Sequence, residues 1–253
     1  MYTKAIVRTP GKSFIKGITT SGLGPPDYQK ALQQHRGYIQ ALQDCGLEVI
    51  VLEPDEDNPD STFVEDPALI TPKGAIITNP GAPSRKGETK EIKEVLQDYF
   101  SDLKEIREPG TVEGGDVMRV GSIYFIGLSE RTNQEGANQL INILEGFGLS
   151  GTVVELEKVL HLKTGVSYLE EGTMLAAGEF LSRAEFKKYQ ILEISPAESY
   201  AANSLWVNGT VLVPAGFPQT EENIQYAGYR TKVVDVSEFR KMDGGLSCLS
   251  LRF

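Results

Sequence analysis

The sequence predicts an α/β fold built from five successive hairpin–helix–strand units, and three observations carry that prediction. Short runs rich in Val, Ile and Leu alternate with a few segments of helical periodicity. The order hairpin, helix, strand recurs about every 40–50 residues. The two chain ends, taken together, supply a fifth unit. Such a repeat suggests a ring of blades with pseudo-fivefold symmetry, as in a propeller. An ordinary α/β sandwich is the alternative, because the units share little sequence similarity. In both cases residues 1–253 are expected to form a single domain.

The elements read as follows. Lys4–Arg8 has the pattern of a strand. Asp27–Cys45 has that of a helix, with Tyr28, Ala31, Leu32, Ile39 and Leu42 at helical spacing, and Leu47–Leu52 follows as a strand. The first complete unit takes strands Ala68–Ile70 and Ala75–Thr78, then a helix over Glu88–Phe100 with Ile92, Val95, Leu96 and Tyr99 on one face, and ends at Ile106. In the second, Val117–Val120 and Ile123–Ile126 precede a helix over Thr132–Phe147, which opens on the capping box Thr132-x-x-Glu135 and buries Leu140, Ile141 and Leu144. Thr152–Leu156 closes it. The third takes Ser167–Leu169, Met174–Ala177, a weak helix near Arg183–Tyr189 and Ile191–Ile194. The fourth takes Leu205–Val207 and Val211–Val213, where Asn208-Gly209 marks a tight hairpin turn. A weak helix over Glu221–Ala227 and the strand Lys232–Val236 complete it. Cys248–Leu251 is expected to be a strand that joins Lys4–Arg8 and closes the circle.

Hydrophobic residues make up 40% and charged residues 24%, as in an ordinary soluble domain. No apolar run approaches the roughly 20 residues a membrane span needs, and the N-terminus lacks the apolar core of a signal peptide. The protein is therefore expected to be cytosolic. A net charge of −10 argues against nucleic acid and anionic membranes as partners, since phosphate binding relies on clustered Lys and Arg. It tolerates a small cationic ligand, although acidity by itself says no more than solubility. Two cysteines and two histidines, without zinc-finger spacing, argue against a disulfide framework and a structural zinc site.

The segments before each unit's first strand concentrate the reactive residue types. They are Asp60-Ser-Thr-Phe-Val-Glu65-Asp66-Pro67, Glu113-Gly-Gly-Asp116, His161-Leu-Lys-Thr-Gly165, Tyr200-Ala-Ala-Asn203 and Gly244-Gly-Leu-Ser-Cys248. In a ring they converge on one end of the axis, bringing a thiol, a histidine and carboxylates into one pocket. Each also has a plainer reading. Cys248 lies in the apolar pattern Leu246-Ser-Cys-Leu-Ser-Leu251, where a cysteine is usually a small core residue. His35, inside a helix, reads as a solvated or satisfied structural histidine, and Cys45, before Gly46, as packing. Of the seven acidic residues in 53–66, those at 53–57 read as a solvated run. Glu65-Asp66, flanked by Phe63, Val64 and Pro67, need a cationic or N–H partner. A guanidinium, planar and rich in donors, suits such carboxylates.

With these residues assembled, the chain closely resembles the dimethylarginine dimethylaminohydrolase family of the guanidino-modifying amidinotransferase superfamily. The resemblance rests on Arg8-Thr-Pro10, Pro59-Asp60-Ser-x-Phe63-Val-Glu65-Asp66-Pro67, Ser84-Arg85-x-Gly87-Glu88-Thr89 and Pro109-Gly-Thr-Val-Glu113-x-Gly115-Asp116. It continues through Glu130-Arg131-Thr132-Asn133, Leu160-His161-Leu-Lys-Thr164-Gly165, Ala176-Ala177-Gly178, Tyr200-Ala-Ala-Asn203 and Gly244-Gly245-x-Ser247-Cys248-x-Ser250. It implies a five-bladed α/β propeller of ββαβ units that hydrolyses Nω-methylated arginines to citrulline plus methylamine or dimethylamine. It further implies Cys248 as nucleophile, His161 as general acid and base, and Glu113 as the residue that orients His161 or holds the guanidinium. Asp66 would bond guanidinium N–H groups, and Arg85 and Arg131 would clamp the substrate carboxylate. Ile18, Asp60, Glu65 and Met242 would line the site, Ile18 and Met242 through backbone carbonyls. No metal or organic cofactor is expected, and a homodimer is a possible assembly. Gly17–Pro26, with its glycines and prolines, is expected to act as a lid.

Competing readings are deimination of free arginine by the same chemistry, a non-catalytic propeller, and a papain-like protease. Arginine deiminases are larger, with an inserted helical region. A non-catalytic propeller need not retain Cys248, His161, Glu113 and two arginines together. The protease lacks its local signature around Cys248, and carboxylates suit a cation rather than a neutral amide.

Overall fold

The structure is a computed structural model that describes residues 1–253. Five three-stranded sheets account for all fifteen strands. In chain order the elements are β1 (Lys4–Arg8), α1 (Tyr28–Asp44), β2 (Glu48–Leu52), β3 (Ala68–Thr71), β4 (Gly74–Ile77), α2 (Thr89–Gln97), β5 (Leu103–Glu105), β6 (Val117–Val120), β7 (Ile123–Leu128), α3 (Gln134–Gly146), β8 (Ser150–Glu155), α4 (Leu162–Gly165), β9 (Val166–Tyr168), β10 (Thr173–Ala176), β11 (Gln190–Glu193), β12 (Leu205–Val207), β13 (Thr210–Pro214), α5 (Pro218–Tyr226), β14 (Arg230–Val234), α6 (Ser237–Arg240) and β15 (Leu251–Arg252).

Each sheet repeats one pattern. An antiparallel hairpin is followed by a crossover, and the third strand returns parallel to the middle one, as in β3-β4-β5 and β6-β7-β8. The fifth sheet, β15-β1-β2, obeys the pattern with its hairpin built from the two chain ends: β1 pairs antiparallel with β15 and parallel with β2. The Asn208-Gly209 turn forms as expected, with φ of 49° and 86° and Val207 opposite Thr210. Positive φ at both central residues matches the twist of the strands, which is why this dipeptide serves there.

The apolar residues divide into five clusters, each shared by neighbouring units. Leu69 and Ile76 meet Val117 and Ile126, and Met118 and Phe125 meet Val166 and Met174. Leu175 and Ile194 then meet Val211 and Ile224, and Leu212 and Val234 meet Ala5 and Val7. Ile6 and Leu251 return to Ala68 and Ile77. The core is thus distributed between the units, and the order of contact closes on itself. Truncating a fully buried member such as Leu42 to Ala is expected to cost about 2–5 kcal/mol. No helix is long and apolar enough to cross a membrane.

Several elements differ from the sequence reading, each for a local reason. α3 is capped by Asn133, whose side chain accepts from the Gly136 N–H. Thr132 is drawn instead to Asp116, to which its hydroxyl donates. The crossover near Arg183–Tyr189 is not an α-helix but two short 3₁₀ turns, Gly178–Ser182 and Ala184–Phe186. Their Phe180 and Phe186 plug the core between sheets, leaving no continuous amphipathic face. His35 is not solvated: it is buried inside α1, and its Nε2 has no protein partner.

The largest difference concerns Cys248. Residues Ser247–Leu249 form a 3₁₀ turn, and the strand begins only at Leu251. The apolar pattern Leu246-Ser-Cys-Leu-Ser-Leu251 mimics a strand, but a side chain replaces the ladder. Asn203 Oδ1 accepts from the Ser247 N–H (3.0 Å), and Asn203 Nδ2 donates to Ser247 Oγ (3.0 Å).

Candidate active site

The segments preceding the first strand of each sheet meet at one end of the assembly. One pocket there is lined by Cys248, His161, Glu113, Asp66, Asp60, Arg85, Arg131, Ile18 and Met242, together with Thr20, Phe63, Leu160, Asp243 and Gly244. It gathers every residue that the resemblance gives a catalytic or substrate-binding role except Glu65. The Glu65 side chain lies on the far side of the thiol-bearing turn, bonded to Ser247 Oγ (2.9 Å), Arg252 (3.2 Å) and Lys163.

His161 stands at the N-terminus of the short α4, in extended conformation, so its side chain leaves the chain before the helix begins. Its Nε2 lies 2.9 Å from Glu113 Oε2. Glu113 is wholly buried, and its other oxygen accepts from the Ala82 N–H at 3.1 Å. The Gly114-Gly115 pair that follows permits this approach. A Cβ on Gly115 would come within 2.8 Å of the His161 ring, and one on Gly114 within 2.0 Å of the Glu65 carbonyl. Asp66 Oδ1 accepts from the Gly115 N–H (2.7 Å), and Asp66 Oδ2 pairs with Arg85.

The two arginines differ in how much of their fork is engaged. Arg85 is buried and donates to Asp66, to both oxygens of Glu88 and to the carbonyls of Asp60 and Phe63. Arg131 is partly exposed and approaches only Glu113, at 3.5 Å. Asp60 accepts from the Ile18 N–H, and Asp243 accepts from Thr20. Those contacts pin segment 17–26 over the pocket. The segment was singled out by its glycines and prolines, but the residue that anchors it, Asp243, carried no such signal. Asn203 was named in the segment Tyr200-Ala-Ala-Asn203, but its role in holding the turn at Ser247 was not read from the sequence.

Burial and charge set the protonation states. Burial works against a charged His161, but Asp116, Glu113 and Asp66 outweigh it and raise its pKa to about 9. Burial would likewise raise Asp66, yet the cationic Arg85 and His161 hold it down at about 2. For Cys248 burial and the negative charges of Glu65 and Asp66 act together and push the thiol to about 12, against a Gly245 N–H that donates to Sγ. At neutral pH the site therefore holds a thiol, an imidazolium and carboxylates. Asp66, Glu113 and His161 place one ligand atom each within 4.8 Å of one another, so these three could hold a metal ion. Arg85 already occupies that field, paired to Asp66 and 4.0 Å from Glu113.

Comparison with known proteins agrees on one family. The family model described as N,N dimethylarginine dimethylhydrolase, eukaryotic, matches residues 27–193. The N(G),N(G)-dimethylarginine dimethylaminohydrolase of Pseudomonas aeruginosa is 57% identical, over 100% of both chains. That of Streptomyces coelicolor is 35% identical, over 98% of this chain and 96% of its own. The Pseudomonas aeruginosa protein, solved as a cysteine-to-serine mutant complexed with citrulline, superposes with a TM-score of 0.99 at 57% identity, covering 100% of both chains. The chain belongs to the dimethylarginine dimethylaminohydrolase family.

Proposed function

We propose that the chain hydrolyses Nω-methylated arginines, asymmetric dimethylarginine and monomethylarginine, to citrulline plus dimethylamine or methylamine. The observation that carries this reading is the meeting of Cys248, His161, Glu113 and Asp66 in one pocket. The citrulline complex of the 57%-identical relative supports it. We further propose that the five sheets form a five-bladed α/β propeller, a reading supported by the cyclic order of the shared clusters.

The chemistry follows from the charges. A substrate guanidinium brings a cation beside a neutral thiol, and that cation favours loss of the Sγ proton to solvent, where the released amine finally takes it up. Asp66 and Glu113 accept guanidinium N–H bonds and keep the group charged and planar, so its carbon stays electrophilic. The Cys248 thiolate adds to that carbon, forming the S–C bond. His161, an imidazolium at neutral pH, gives its proton to the departing amine as the C–N bond breaks, leaving a thiouronium on Cys248. The now neutral imidazole takes a proton from water, whose oxygen adds to the same carbon. Rupture of the S–C bond releases citrulline and restores the thiol.

The substrate carboxylate would be held by Arg85 and Arg131. Arg131 offers the larger share of uncommitted N–H groups, whereas Arg85 adds charge and must exchange a protein acceptor to contribute a hydrogen bond. Ile18, Asp60 and Met242 would receive the α-amino end, with segment 17–26 acting as the lid. Glu65 would act from beneath the thiol, through Ser247, without touching substrate. The protein is proposed to work in the cytosol, and a homodimer remains its proposed assembly.

Citrulline release from asymmetric dimethylarginine and from arginine, measured side by side, tests the substrate. Faster turnover of the methylated compound is expected. Faster turnover of arginine would replace this reading by deimination of the free amino acid. Turnover of neither would point to a non-catalytic role.

A further inference from the structure

Behind the turn that carries Cys248, one edge strand from each of the five sheets lines a second cavity of about 140 Å³. Ile70, Arg119, Ser167, Trp206 and Arg252 line it, one from each sheet. It shares no lining residue with the catalytic pocket, and the boundary runs between sequence neighbours. Asp66 and Cys248 face the pocket, whereas Glu65 and Ser247 face the chamber.

Two independent features describe what the chamber would hold. The first is its donors. Six buried side-chain polar atoms in the chain have no protein partner, and three of them, Tyr124 OH, Ser167 Oγ and Arg252 Nε, belong to residues that line this one cavity. Tyr124 and Ser167 are 2% and 8% exposed. Buried polar groups are nearly always bonded, and an arginine Nε–H can only donate. The second is charge. Lys163 and Arg252 both pair with the single carboxylate of Glu65, so this part of the wall carries one net positive charge inside a chain of net charge −10. Arg119 and Glu170, also on the lining, offset each other.

We propose that this chamber is a binding site for a small anion of the carboxylate or inorganic oxyanion class. The anion accepts from Arg252 Nε, Tyr124 and Ser167, and its charge balances the second cation on Glu65. The site is separate from the substrate pocket and does not depend on which guanidino compound that pocket takes.

Trp206, the only tryptophan in the chain, lines the chamber and reports on it directly. The full-length protein is titrated with sodium acetate against a bulky sulfonate at constant ionic strength, while Trp206 fluorescence and Tm are followed. The wild type is expected to show a saturable fluorescence change and a rise in Tm, since a ligand of the native state stabilises it. The double variant Tyr124→Phe/Ser167→Ala loses two hydroxyls that bond no protein atom, so its fold is retained. Its acetate affinity is expected to fall at least about fivefold. Arg131→Ala, in the other pocket, is expected to keep the wild-type response. A linear, non-saturating signal, or an unchanged affinity in the double variant, would mean that the chamber holds water only and would overturn the proposal. Loss of the response in Arg131→Ala would overturn it too, by assigning acetate to the substrate carboxylate site.

Discussion

The chain has two cysteines and two histidines, and they fall into two regions that share residue types and burial but little else. Cys248 and His161 lie in the catalytic pocket, while Cys45 and His35 belong to α1 and its C-terminal end. Both cysteines are half-buried, and burial raises the pKa of each. His35 is nearly inaccessible, and His161 is only slightly exposed. Yet the two imidazoles move in opposite directions. Burial, reinforced by Arg36, lowers His35 to about 4, whereas Asp116, Glu113 and Asp66 overcome burial and raise His161 to about 9. His35 packs against the Phe239 ring with its Nε2 unpartnered, and His161 has a carboxylate at 2.9 Å. Neither nucleophile type nor burial makes an active site; the carboxylate frame does.

The sharpest way to break that comparison is to exchange the thiols one at a time. Cys248→Ser is expected to lower kcat for citrulline formation by at least about 10⁴-fold, because the hydroxyl is a far weaker nucleophile and the covalent route is lost. Cys45→Ser is expected to stay within about twofold, since that residue only packs against its cluster. Comparable losses in both variants would show that the distinction between the regions is wrong. The frame itself is tested by Glu113→Gln, which keeps shape but removes the charge beside His161. An expected fall of about 10²–10³-fold in kcat, with KM changed less, would mark loss of acid–base function. The kcat profile should also move, because the imidazolium of His161 would then persist to a lower pH. A KM effect alone would reduce Glu113 to a substrate-holding role.

The same contrast explains what could be read in the sequence. Alternating and helical patterns located the five units because each hairpin and helix buries its own apolar face against a neighbouring unit. Convergence of the preceding segments followed from the repeated units, and it brought together Asp60, Asp66, Glu113, His161 and Cys248 although they lie far apart in the chain. The turn at Ser247–Leu249 was hidden, since Asn203 supplies from another unit the hydrogen bonds a strand would have made. Glu65 was misplaced for a related reason. Glu65 and Asp66 lie in a turn ahead of β3, and it sends Asp66 to Arg85 and the Gly115 N–H but Glu65 to Ser247 and Lys163. Nor could the sequence separate His35 from a solvated helix residue, because α1 is covered by α6 and Phe239, which are distant in the chain.

The smallest expected effect is also the most direct comparison of the two imidazoles, because each ties its titration to stability with opposite sign. His161 has a folded-state pKa above the ordinary 6.5, so its contribution is complete below pH 6.5 and is lost as pH rises through about 9. His35 has a folded-state pKa below 6.5, so folding bears no penalty above pH 6.5 and a growing one as pH falls toward about 4. Each displacement corresponds to a few kcal/mol at most. Denaturant unfolding followed between pH 4 and 10 is expected to show stability falling at both ends, with carboxylates adding to the acid limb. His35→Gln removes a charge that cannot be accommodated, so it is expected to flatten the limb between pH 6.5 and 4 while leaving the alkaline limb unchanged. His161→Gln is expected to do the reverse. Histidine NMR signals assign the two transitions independently. Were both imidazoles to titrate near 6.5, the carboxylate field around His161 would be too weak to keep it cationic at neutral pH, and the proton for the leaving amine would need another source.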